Sequence, residues 1–138
     1  MAEVIVFPDV ENAIRVYLTA TFAALAGFAT VTATTGTKPA TLPAEFVHIT
    51  RTGGTADLVV DRPQITLETY AKRGSRAIEI AQMARGILAA AAREGVLTGV
   101  TAYRYSEFSG PYLDPDPNAP LHTRYSATIQ IAVRGHAA

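Results

Sequence analysis

Between Arg124 and Val133 the chain alternates without a break. Tyr125, Ala127, Ile129, Ile131 and Val133 fall on one side, and Arg124, Ser126, Thr128 and Gln130 on the other. A period of two is that of a strand with one buried and one wet face. Such a strand needs a second layer over its apolar face. The cover is legible at another period. Ala77, Ile80, Ala81, Ala84, Ile87, Leu88 and Ala91 recur at helical spacing, with Arg76, Glu79, Gln82 and Arg93 on the opposite side. Ser75 is the candidate N-cap of this helix and Gly95 its stop. The many alanines allow close packing on a sheet or a neighbouring helix.

A second amphipathic stripe, Val10, Ile14, Tyr17, Leu18, Thr21 and Leu25, predicts a helix that starts at Pro8 or Asp9 and stops at Gly27. Further strands are expected over 29–35, 46–52 and 100–106. Gly53–Gly54 reads as a hairpin turn, since glycine supplies positive φ. The returning strand covers 58–60 and 65–70, with a bulge or bend near Asp61–Arg62–Pro63. The stretch from Glu107 to Thr123 holds Pro111, Pro115, Pro117 and Pro120 and reads as a long loop. The expectation is a single α+β domain over residues 1–138. Its sheet is mostly antiparallel, of four or five strands, with two helices on one face.

The 138 residues carry 12 basic and 12 acidic side chains and no cysteine. The absence of cysteine excludes disulfides, thiolate metal sites and a cysteine nucleophile. Zero net charge removes the self-repulsion that keeps proteins apart, so association is expected. Duplex DNA binding calls for a basic surface, and Arg and Lys here are spread along the chain. Met1–Phe7 lacks the basic lead and long apolar run of a signal peptide. The apolar run from Tyr17 to Val31 is interrupted by Thr19, Thr21, Gly27 and Thr30, which argues against a membrane span.

Motifs for chemistry are sparse. No phosphate loop, dinucleotide fingerprint, nucleophile elbow or paired-histidine zinc motif is present. His48, His122 and His136 show no ligand spacing. Asp61, Glu68 and Glu79 read as solvated acids. Asp114 and Asp116, in Asp-Pro-Asp-Pro, offer oxygens for calcium, but a proline-stiffened loop explains them equally. Lys72, Arg73 and Arg76 cluster at the start of the second helix, where a phosphate contact competes with a solvated basic turn. No catalytic residue, metal or cofactor is expected, and the chain does not read as an enzyme.

Several blocks recur in a familiar order: Phe7–Pro8–Asp9–Val10; Phe46 to Gly54 through the Arg51–Thr52–Gly53–Gly54 segment; Asp61–Arg62–Pro63–Gln64–Ile65 to Ala71; the alanine-rich helix; Gly110 to Pro115; and Arg124–Tyr125. This succession resembles tail terminator (tail completion) proteins of long-tailed bacteriophages, over most of the chain. The resemblance implies a virion structural protein of the tail-neck region, assembled in the host cytoplasm. It implies a homo-oligomeric ring, commonly a hexamer, that caps the tail tube and ends its polymerisation. The ring's partners are the tail-tube protein and the head-tail connector proteins. Phage DNA passes through its lumen without sequence-specific binding. A ring needs two different patches on each subunit. The expected contacts are Arg51, Gly53, Gly54 and Arg62 of the hairpin, Tyr112, Leu113, Asp114 and Asp116 of the long loop, and Arg124. The alternatives are a neck or head-completion adaptor of the head-tail connector, and a small ligand-binding or enzymatic α+β domain.

Overall fold

The computed structural model describes residues 2–138. The chain forms β1 (Ile5–Val6), α1 (Val10–Ala24), β2 (Thr32–Thr35), β3 (Phe46–Ala56), β4 (Val60–Ala71), α2 (Gly74–Glu94), β5 (Val96–Leu97), β6 (Val100–Leu113), β7 (Thr123–Arg134) and β8 (His136–Ala137).

Asp9 opens α1 as expected. Its carboxylate accepts the Asn12 amide at 3.2 Å, filling one of the bonds a helix start leaves open. Helix α2 begins one position before Ser75: Arg73 is the N-cap and makes no side-chain cap bond. Ser75 therefore lies inside the first turn. Gly95 ends α2 at φ +86°, donating to the Ala91 and Ala92 carbonyls.

The main sheet has the order β2-β3-β4-β7-β6-β5, and β1 pairs with β8 in a separate ribbon. Every main-sheet pair is antiparallel except β2 with β3. Six strands stand where four or five were expected. The extra one, β5, is two residues long and folds back on β6 through Thr98 and Gly99, both at positive φ. Elements that short carry no period to read.

Both helices pack on one face, over Val47, Ile49, Ile65, Leu67, Ile129, Ile131 and Val133. A smaller apolar cluster, Phe46, Tyr70 and Ala119 with Leu42 beside it, sits apart from that core. It lies on the other face, where alternation along β4 places Tyr70.

Three expectations are corrected. Gly53 and Gly54 are not a turn. They lie within β3, opposite Gln64 and Pro63, and the chain reverses at residues 57–59 instead. Asp57 makes that turn: its amide bonds the Val60 carbonyl at 3.0 Å and its carboxylate accepts the Val60 amide at 3.2 Å. The positive φ of the two glycines (128° and 100°) absorbs a register shift between Arg51 and Gly53. The irregularity expected at Asp61–Arg62–Pro63 thus belongs to the facing strand, and β4 runs straight through Pro63. Finally, the long loop is shorter than expected. Strand β6 continues to Leu113, leaving only 114–122 as loop. Pro111 is tolerated because it falls in a register shift between Ser109 and Tyr112, on a strand whose far side has no partner there.

Candidate functional site

At one end of the sheet, on the face away from the helices, β4 and β7 place Tyr70 opposite Arg124 and Glu68 opposite Ser126. β3 sets Phe46 beside Tyr70 and His48 beside Glu68. Phe46 and Tyr70 stack with centroids 4.4 Å apart, and the His122 ring stands edge-on to both. The loop 114–122 folds over this platform.

Arg124 holds the loop down. Its Nε donates to the Asp114 carbonyl at 2.7 Å, and Nη1 to Glu68 Oε2 at 2.8 Å. Its Nη2 lies 3.3 Å from Asp114 Oδ2, and Nη1 lies 3.6 Å from Asp116 Oδ2. The Tyr70 hydroxyl donates to Asp116 Oδ2 at 2.8 Å, the Ser126 hydroxyl to Asp114 Oδ2 at 2.7 Å, and the Asn118 amide to Asp116 Oδ1 at 2.9 Å. Lys38 Nζ approaches Glu68 Oε1 at 3.5 Å. Burial by itself raises the Asp116 pKa. The bonds from Tyr70 and Asn118 and the charges of Arg124 and Lys38 outweigh it and hold the carboxyl below the usual range. The carboxylates of this cluster thus face donors of their own chain. Among the described residues no group of three or more His, Cys, Asp or Glu is arranged to hold a metal.

The hairpin residues lie at the opposite end of the sheet. Arg51 grips Asp61 with two bonds, 2.7 and 3.0 Å, and a third runs from Nε to the Gly53 carbonyl at 2.9 Å. The Asp61 side chain is only 3% exposed, so this fork neutralises a buried charge. The Arg51 amide donates to Glu11 of α1 at 2.7 Å. Arg62 pairs with Asp57 at 2.9 Å in open solvent, where an ion pair contributes little.

Tyr112 and Leu113 sit at the end of β6, 51% and 57% exposed. Strand β6 is the clearest open surface. Its outer side pairs with β5 only at Val100 and Thr101, so from Ala102 onward that edge has no strand partner among the described residues. Phe108 (60% exposed) and Tyr103 (45%) project from the same strand. The register with β7 shifts three times along it. Arg85 of α2 pairs with Glu107, whose Oε2 also accepts the Tyr105 hydroxyl at 2.7 Å, tying the strand to the helix.

The structure therefore groups Asp114, Asp116 and Arg124 in one network, with Tyr112 and Leu113 beside it. Arg51, Gly53, Gly54 and Arg62 form a separate group. Sequence reasoning missed Tyr70, which both packs and bonds in the network, and Phe108, which fell in a stretch read as loop. It gave Tyr103 no role because a register shift decides where that side chain points. Compared with protein families and curated proteins, the chain matches no family model and no curated sequence.

Proposed function

We propose that the chain is a structural protein of a long-tailed phage virion, of the tail-terminator kind. In this reading it forms a homo-oligomeric ring, commonly a hexamer, that caps the tail tube, ends its growth and meets the head connector. The sequence resemblance motivates the proposal, and one structural observation carries it. Tyr103, Phe108, Tyr112 and Leu113 are all exposed on β6, the strand whose outer edge is left largely unpaired. Large aromatics are the anchors that interface cores favour. A ring needs a second, different patch. Leu58, 82% exposed at the turn between β3 and β4, lies on another part of the surface and offers one.

The loop suits the same role. Its hydrogen bonds are made within the chain, so docking it costs little ordering entropy. The contacts need no catalytic group, metal or cofactor.

Light scattering coupled to size exclusion, with negative-stain microscopy, tests the proposal. The expected result is a closed ring, in isolation or on purified tail tubes. A species that stays monomeric at high concentration and leaves tubes uncapped would overturn it.

A further inference from the structure

Residues 36–45 carry the chain from β2 to β3 along the outer face of the sheet. Residues 37–44 make no backbone–backbone hydrogen bond among the described residues. Side chains hold them instead. Half-buried Leu42 packs against the cluster of Phe46, Tyr70 and Ala119. Lys38 Nζ stands 5.4 Å from the centre of the Tyr70 ring and 3.5 Å from Glu68 Oε1. The Pro43 carbonyl accepts from His122 Nε2 at 2.8 Å. The two ends are set differently. Gly36 turns the chain out of β2 at φ +68°. Glu45 accepts from Arg76 Nε at 2.6 Å and from Thr30 Oγ1 at 3.0 Å. A segment fixed at its ends and held between them by a few side chains opens at low cost.

Beside it lies a buried titratable group. His48 is 4% exposed, and its Nδ1 lies 2.8 Å from Thr34 Oγ1. The strand register sets it next to Glu68. The charges that face it are Lys38 from the segment, Glu68 from β4 and Glu11 from α1. Beyond Glu68 stand Tyr70, Asp116 and Arg124. Glu68 already serves two cations, Arg124 at 2.8 Å and Lys38 at 3.5 Å. An imidazolium at His48 makes a third, and the cation held most weakly gives way. Arg124 is also fixed by the Asp114 carbonyl and by the carboxylates of Asp114 and Asp116. Lys38 pairs with Glu68 alone among the described residues.

We propose that residues 37–42 are a strap that lifts from the Phe46–Tyr70 platform when His48 takes up a proton. Lifting separates Lys38 from the imidazolium, leaves Glu68 to balance it and bares the apolar cluster of this face. His122 does not drive the change: bonded to a carbonyl, its Nε2 donates whether or not the ring is charged. The sign follows from linkage. Burial first, and then the Lys38 charge, lowers the His48 pKa while the strap is down. With the strap up, the ring returns toward its ordinary value of about 6.5. The open state therefore holds the proton more tightly. The ratio of open to closed rises as pH falls, by up to about tenfold between about pH 7.5 and 5.5. The device belongs to the single chain and is independent of the ring reading.

Cysteine accessibility tests it, since the chain has no cysteine of its own. Three single-cysteine chains are compared at about pH 7.5 and 5.5, with a disulfide reagent that reacts across that range. Leu42→Cys reports the strap and Ala84→Cys the buried core, and the exposed Leu58→Cys normalises both rates. Leu42→Cys is expected to label about fivefold faster, or more, at the acid pH. It is expected to label about a hundredfold faster than Ala84→Cys at either pH, the mark of local opening rather than unfolding. Adding His48→Gln is expected to remove the pH response. Adding Lys38→Met, which leaves the imidazole in place, is expected to speed labelling at neutral pH and to shrink the response. The proposal is overturned if Leu42→Cys labels equally at both pH values, if the response survives His48→Gln, or if Ala84→Cys labels as fast as Leu42→Cys. Should His48→Gln fail to fold, Lys38→Met decides: labelling unchanged from the Leu42→Cys parent overturns the strap.

Discussion

Arg124 organises its surroundings more than any other residue. Two facts about the sequence made it visible: it opens the alternating strand, and it lies on the polar side. Its partners were not visible. Glu68 and Asp116 come from distant segments, and only the β4–β7 register brings them within reach. Glu68, Asp114 and Asp116 together give Arg124 three acids within its own chain. Arg124→Ala leaves Glu68, Asp114 and Asp116 short of a cation in a half-buried site. It is expected to cost about 2–4 kcal/mol in denaturant unfolding, and Arg124→Lys less, because the charge stays while the fork is lost. His48 sets a different sensitivity. Burial, reinforced by the Lys38 charge, lowers its pKa below the usual imidazole value. The unfolded chain therefore takes up the proton near pH 6.5 while the folded chain resists it. Stability should fall as pH drops from about 7 to 5. His48→Gln should flatten that part of the melting-temperature profile, and an unchanged slope would rule the imidazole out as its source.

At the scale of elements, strands and helices with a sustained period were legible: α1, α2 and β7 match their expected spans within a residue or three. Elements defined by glycine and proline were not. Gly-Gly reads as a turn because turns need positive φ, yet a bulge needs it too, and local sequence does not distinguish them. Proline reads as loop, yet an edge strand tolerates it. The glycines offer a sharp contrast. A Cβ on Gly54 would lie 2.2 Å from the Arg62 carbonyl oxygen, whereas one on Gly53 would meet nothing within 4 Å. Gly54→Ala is expected to destabilise by about 3 kcal/mol or more and Gly53→Ala by about 1–2, from backbone strain alone. Equal losses in chemical denaturation would show that the close approach to β4 is unimportant.

For the whole molecule, the layer arrangement and the mostly antiparallel sheet followed from period and economy of packing. Surface function did not follow, because it depends on residues far apart in the chain. Phe108 and Tyr112 are exposed and contribute little to the core, so Phe108→Ser with Tyr112→Ser should leave the melting temperature within a few degrees. The proposed ring should be absent from light scattering of the same variant. Retention of the ring would move the interface away from β6.

The three register shifts along β6 bear on how the proposed ring would stay finite. A straight, unpaired strand presents the same ladder of amides and carbonyls to every incoming copy, and growth on such a template has no natural end. An edge broken at three points interrupts that ladder. What it presents instead is a set of individually placed side chains, matched only by a partner of the right shape. Recognition by shape saturates once its counterpart is seated, which is the difference between a counted assembly and a fibre.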